Sequence, residues 1–131
     1  MITEYPKAKM FGILPSYGLF VRHAKRIYLN NVSFSYMNKD ERSVLILDDV
    51  IDVTINGLTA ESNETASPFI WLKNSKKIKI QNSSPLGKTE IFLKAENTKE
   101  ITLLNNELSL SNKHLQTDTQ TKKELIKINN Y

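Results

Sequence analysis

The chain has 131 residues, 40% of them hydrophobic and 24% charged, with four Gly, four Pro and no Cys. That composition excludes collagen-like and Pro/Gly-rich disordered classes, disulfides, thiolate catalysis and Cys-based zinc sites, and no apolar run approaches the roughly 18 residues of a membrane-spanning helix. The formal net charge of +4 favours an anionic partner, although the 18 basic and 14 acidic residues are interspersed along the sequence.

Residues 1–18 read as an irregular, partly buried lead-in, carrying Tyr5-Pro6, Met10-Phe11-Gly12 and Leu14-Pro15. The first residues lack a basic stretch followed by an apolar one, so no secretory signal is expected in them. From Leu19 onward a repeat takes over. Aligned on one apolar pair it gives Ile27/Leu29, Val53/Ile55, Ile78/Ile80, Ile101/Leu103 and Ile126/Ile128, spaced by 26, 25, 23 and 25 residues. Each pair alternates with polar residues, which is the period of a half-buried strand. Four positions after the first member stand Asn31, Gly57, Asn82, Asn105 and Asn130, a turn residue each time.

A strand and a turn at a period in the twenties, with no helical pattern between copies, predicts an all-β solenoid. The form it predicts is a right-handed parallel β-helix, pectin-lyase-like, of about four to five short coils. Like residues then stack on like, and the turn asparagines form an amide ladder at an inward turn, with Asn56 standing in where Gly57 interrupts it. The first coil places Leu19/Val21, Ile27/Leu29 and Val32/Phe34 on three short strands; the second repeats this with Leu45/Leu47, Val53/Ile55 and Leu58/Ala60. The third has Ile70/Leu72 and Ile78/Ile80, then meets Pro85, which has no N–H and should break or bend its third strand.

The fourth coil gives Leu93/Ala95, Ile101/Leu103 and a candidate third strand at Leu108/Leu110. The coils therefore span residues 19–110, and residues 111–131 form a polar loop with a terminal partial coil. Thr121 to Ile128 also fits one side of a helix; the 25-residue spacing and Asn130 favour a strand. With no polar cap before Leu19, preceding coils are expected to be missing, and an exposed first edge predicts end-to-end self-association.

The run Tyr5-Pro6, Met10-Phe11-Gly12, Leu14-Pro15-Ser16-Tyr17-Gly18-Leu19-Phe20-Val21-Arg22-His23, followed by Asp48-Asp49-Val50, resembles the C-terminal coils of bacterial glycoside hydrolase family 28, the polygalacturonase-like enzymes. The similarity covers most of residues 4–104. It implies a β-helix portion of an inverting hydrolase of galacturonan or related pectic chains, in a family whose members are usually secreted or periplasmic. The family's signatures are Asn-x-Asp, Asp-Asp, Gly-His-Gly and Arg-Ile-Lys. Gly-His-Gly is absent, Arg26-Ile27-Tyr28 lacks the Lys, and Asn38-Lys39-Asp40 falls in a loop outside the catalytic strand. No catalytic residue carries over, and the chain is expected to be inactive by itself.

Asp48-Asp49 is the tempting acid/base pair, but Asp49 aligns with His23, Asn74 and Asn97 in a polar bend column, which needs hydrogen bonds and no particular acidity. For an acidic sugar the candidate residues are Tyr17, Arg22 and Trp71, Arg through bidentate hydrogen bonds and the aromatics through stacking. Lys25, Arg26 and the exposed Tyr28 form a second basic-aromatic group, with Arg22 and Tyr28 on different faces. Trp71, between Ile70 and Leu72, points outward for sugar stacking, an interface or packing beneath a loop. Asn31, Asn82, Asn105 and Asn130 are assigned to the structural ladder. Asn31 and Asn82 also begin glycosylation-type tripeptides, set aside because ladder residues are expected to be buried. No phosphate-binding loop, metal cluster or nucleic-acid motif occurs, so no cofactor, metal, nucleic acid or membrane is expected. The alternative to the hydrolase portion is a non-catalytic β-helix that binds acidic polysaccharide or associates with other subunits.

Overall fold

The computed structural model describes residues 16–35, 43–61, 68–119, 121 and 126–129. Eleven strands follow one another: β1 (Ser16–Asn30), β2 (Ser33–Phe34), β3 (Ser43–Asn56), β4 (Thr59–Ala60), β5 (Ile70–Lys73), β6 (Lys76–Gln81), β7 (Ser84–Pro85), β8 (Thr89–Glu96), β9 (Lys99–Leu104), β10 (Ser111–Thr117) and β11 (Ile126–Asn129). Every pairing between them is parallel. The chain is a parallel β-helix whose three sides are wound in succession.

The register follows the sequence period. On the second side Ile27, Val53, Ile78, Ile101 and Ile126 are successive Cα partners, as are Leu29, Ile55, Ile80, Leu103 and Ile128. On the first side Leu19, Leu45, Ile70, Leu93 and Leu115 form the equivalent column. In the middle coils these inward positions are sealed: Leu45, Ile70, Leu72, Ile80 and Leu93 have no exposed surface. Phe69 and Phe92 fill the corner before the first side, stacked with centroids 5.6 Å apart and planes at 24°. Burial of such side chains, at about 1.5–3 kcal/mol each, is the main force holding coil on coil.

Three expectations need correction. Residues 111–117 are not a loop but strand β10, in register with β8 through Leu115 and Leu93. As an outermost row it needs little apolar surface, so Leu115 is the only inward apolar residue marking it. Leu108/Leu110 is not a third strand: Leu108 is buried beside a tight turn closed by the Ser111 N–H on the Leu108 carbonyl at 3.1 Å. Pro85 explains the difference, though not by breaking its own strand, since Ser84–Pro85 pairs with Thr59–Ala60. The Ser84 and Leu86 N–H groups donate backward to Leu58 and Ala60 at 2.8 Å. The Pro85 position therefore faces the following coil with no N–H to give, and the third sheet stops at β2, β4 and β7. The expected four to five coils thus comprise five rows on two sides and three on the third, about three full turns. For Ile126–Asn129 the backbone is strand, paired with β9, rather than helix.

The corners are made by single residues with positive φ. One column is His23, Asp49, Asn74 and Asn97, with φ of 56°, 57°, 50° and 48°; another is Asn31, Gly57, Asn82 and Asn105, at 54°, 79°, 53° and 53°. A third column, Arg26, Asp52, Lys77 and Glu100, at 56° to 64°, has no shared side-chain chemistry. Left-handed backbone costs such residues roughly 1 kcal/mol each, which the parallel bonds on either side of the bend offset.

Candidate binding faces

Behind each outward corner residue lies an inward one, and at two corners its side chain ties coil to coil. The Val50 N–H donates to Ser75 Oγ at 3.3 Å, the Ser75 N–H to Thr98 Oγ1 at 3.4 Å, and the Thr98 N–H to Thr121 Oγ1 at 3.2 Å. Each of these buried hydroxyls donates in turn to a carbonyl of its own coil region or, for Thr121, of the preceding one: Lys73, Glu96 and Ala95. At the second corner the Leu58 N–H donates to Ser83 Oγ at 3.1 Å and the Ser83 N–H to Asn106 Oδ1 at 2.9 Å. These columns escaped the sequence reading. Their signal is the recurring dipeptide Asn74-Ser75, Asn82-Ser83 and Asn97-Thr98.

The asparagine ladder runs on the outside, not at an inward turn. Asn56 Nδ2 donates to Asn30 Oδ1, Asn82 to Asn56 and Asn105 to Asn82, each at 2.8 Å. Its first rung is Asn30; Asn31 is the exposed corner residue beside it, and Asn130 lies outside the described residues. The rungs are exposed, so burial does not argue against modification of Asn82. What engages its amide is the ladder.

The outer face of the first side holds two of the expected sugar-binding residues. Arg22 Nε lies 3.3 Å from Asp48 Oδ2, and Asp48 Oδ1 accepts a further bond from Asn74 Nδ2 at 3.3 Å. Trp71 is half-buried; its indole N–H donates to Glu96 Oε1 at 2.7 Å, and the ammonium groups of Lys73 and Lys94 lie 4.2 and 4.7 Å from its ring centroid. A sugar stacking on this indole has to displace an ammonium group. Tyr17 is part of β1 in its backbone, and its side chain lies outside the described residues, as do Asn38 to Asp40. Across this side, with the bend column included, Arg22, Lys73, Lys94 and Lys113 balance Asp48, Asp49, Glu90 and Glu96. It is a neutral, internally paired surface.

Asp48 and Asp49 part at the corner. Asp48 sits on the strand face with its side chain 18% exposed, and Asp49 turns outward to place Oδ2 2.6 Å from His23 Nδ1. Each carboxylate is held by a residue one coil earlier, not by its neighbour. Among the described residues no group of three His, Cys, Asp or Glu is arranged to hold a metal. Glu107 is held below the ordinary carboxylate range by the Ser109 hydroxyl and then by the Ser109 N–H, but it stands apart on an exposed turn.

The second side is different. Lys25, Arg26, Lys76, Lys77, Lys79 and Lys99 project from β1, β6 and β9, opposed only by Asp52 and Glu100. Six positive and two negative side chains give +4, as much as the formal charge of the whole chain. One ion pair bridges them, Lys76 Nζ to Glu100 Oε2 at 3.6 Å. Tyr28 stands 63% exposed in the first row of this side, in one column with Thr54, Lys79 and Thr102. Rows about 4.8 Å apart make this a flat, ribbed surface. Sequence reading found Lys25, Arg26 and Tyr28 as a local group; Lys76 to Lys79 and Lys99 join them only through the register.

No protein-family model, curated protein or solved structure matches this chain.

Proposed function

We propose that this β-helix binds an acidic polysaccharide of the pectic type along its second side, and that it does so as a non-cleaving portion of a polygalacturonase-like hydrolase. The +4 face of Lys25, Arg26, Lys76, Lys77, Lys79 and Lys99 carries the binding part of the reading. A uronate polymer presents one carboxylate per sugar ring along an extended chain. Parallel rows of lysine meet such a chain as a series of charge-assisted hydrogen bonds, and Tyr28 offers an aromatic face to a ring. Non-cleavage rests on the engagement of Asp48 by Arg22 and of Asp49 by His23. The hydrolase context rests on the resemblance carried by residues 5–23 and Asp48-Asp49-Val50, together with the parallel β-helix.

The experiment is affinity for polygalacturonate against neutral galactan across a NaCl series, with reducing-sugar release followed in parallel. Binding should be confined to the acidic polymer and weaken with salt, because exposed charges are screened within about 10 Å at 0.1 M. Lys76→Glu with Lys79→Glu should cost roughly tenfold or more in affinity, and Lys73→Glu with Lys94→Glu, on the first side, far less. Equal binding to both polymers, or equal loss from both double variants, would remove the second side as the site. Released reducing sugar would overturn the non-cleaving assignment.

A further inference from the structure

The solenoid is open at both ends. Strand β1 pairs only with β3, β10 only with β8 and β11 only with β9. The inward residues of the first row, Val21, Ile27 and Leu29 among them, are half-buried, whereas their partners Leu47, Val53 and Ile55 are no more than 1% exposed. At the far end Leu115 is half-buried too. Each end thus offers an unpaired backbone edge around an incompletely covered apolar interior, which is a template for a further parallel row.

We propose that the occupant of each end is a second copy of this chain, stacked head to tail so that the last row of one copy supports β1 of the next. Three observations select that partner and that direction, independently of the polysaccharide reading. First, the columns continue across such a junction: Leu115 is followed by Leu19 inside the first side, and every strand stays parallel. Second, the asparagine ladder has a polarity. Each rung donates toward the first row, and the Asn30 amide has no acceptor among the described residues; only a row before β1 places one there. Third, the outer column Arg22, Asp48, Lys73, Glu96 begins with a cation, and Asp118 follows β10 beside Glu96 at its end. A carboxylate-bearing tail therefore meets an arginine head. Two heads facing each other would instead oppose Arg22 to Arg22 and set the strands antiparallel.

A heterologous contact of this kind does not close, so it builds an open series of oligomers. Sedimentation velocity and native mass spectrometry of the purified chain across a concentration series should show monomer, dimer, trimer and longer species in progression. Leu29→Lys blocks the head and Leu115→Lys blocks the tail; Val21→Lys is the second head variant, and circular dichroism identifies those that keep the β-fold. Each blocked variant alone should be monomeric. A mixture of one head-blocked and one tail-blocked variant should give a 1:1 dimer and nothing larger. A wild-type chain that stays monomeric at all concentrations overturns the proposal, as does a series that ends at a dimer. Head-blocked and tail-blocked variants that fail to pair while the wild type polymerises would overturn the head-to-tail direction.

Discussion

The buried hydroxyl at a corner serves two coils at once. Ser75 accepts from the Val50 N–H and donates to the Lys73 carbonyl, so removing its oxygen strands two backbone groups in an apolar interior. Ser75→Ala should cost about 1–3 kcal/mol, while Ser75→Thr, which copies Thr98 in the same column, should be close to neutral. Urea denaturation of both variants checks this, and equal loss from the two would contradict it. Gly57 is the complementary case on the outside. Its φ is +79°, and a Cβ there would meet Asn31 Oδ1 at 2.6 Å. Gly57→Val should destabilise by more than 1 kcal/mol, because a β-branched residue is a poor fit to left-handed backbone. Gly57→Asn should cost less, since Asn holds that conformation at 31, 82 and 105 and the Asn31 amide can turn aside. At Glu107, Ser109→Ala should raise the carboxyl pKa toward the ordinary range, read by carbon NMR titration; an unchanged value would remove the Ser109 hydroxyl as its cause.

Strands β6 and β9 have a parallel partner on both sides, β1, β10 and β11 on one. Their amides should therefore differ in hydrogen exchange, slowest over Lys76–Gln81 and Lys99–Leu104 and fastest over Ser16–Asn30 and Ser111–Thr117 under conditions that keep the chain monomeric. Uniform protection from first row to last would contradict a solenoid with two open ends. The same contrast explains what the sequence made legible. Where a strand is covered above and below it must alternate, and Ile78/Ile80 or Ile101/Leu103 announce themselves. Strand β10 is covered on one side, tolerates Asn112, Lys113 and His114, and reads as loop. The column Arg26, Asp52, Lys77 and Glu100 was invisible because left-handed backbone there is imposed by the bend rather than invited by Asn or Gly. The hydroxyl columns were in plain view as Asn-Ser and Asn-Thr pairs, but the outward Asn drew the reading and the inward residue did the bridging.

Function here depends on register more than on any one residue. Lys25 and Lys99 are 74 positions apart in sequence and share a face only because each coil repeats the last in phase; a slip of one residue would turn the lysines inward and the isoleucines out. Arg22 and Trp71, the residues that stood out as sugar ligands, are absorbed by Asp48, Glu96, Lys73 and Lys94. The charge left unpaired is on the neighbouring side, which a linear reading finds only in its first third. The polysaccharide site and the stacking ends both follow from one rule of alignment, so that rule is the claim to test.

The chain contains no cysteine, which makes disulfide trapping clean. Thr54 and Lys79 are Cα partners on adjacent rows of the second side, at a spacing of about 4.8 Å that a disulfide can span. Thr54→Cys combined with Lys79→Cys should form an intramolecular disulfide under mild oxidation, seen by mass spectrometry of the monomer. Thr54→Cys with Lys76→Cys, three residues out of register, should remain reduced. A disulfide in the offset pair and none in the aligned pair would contradict the register, and with it the basic face assembled by it.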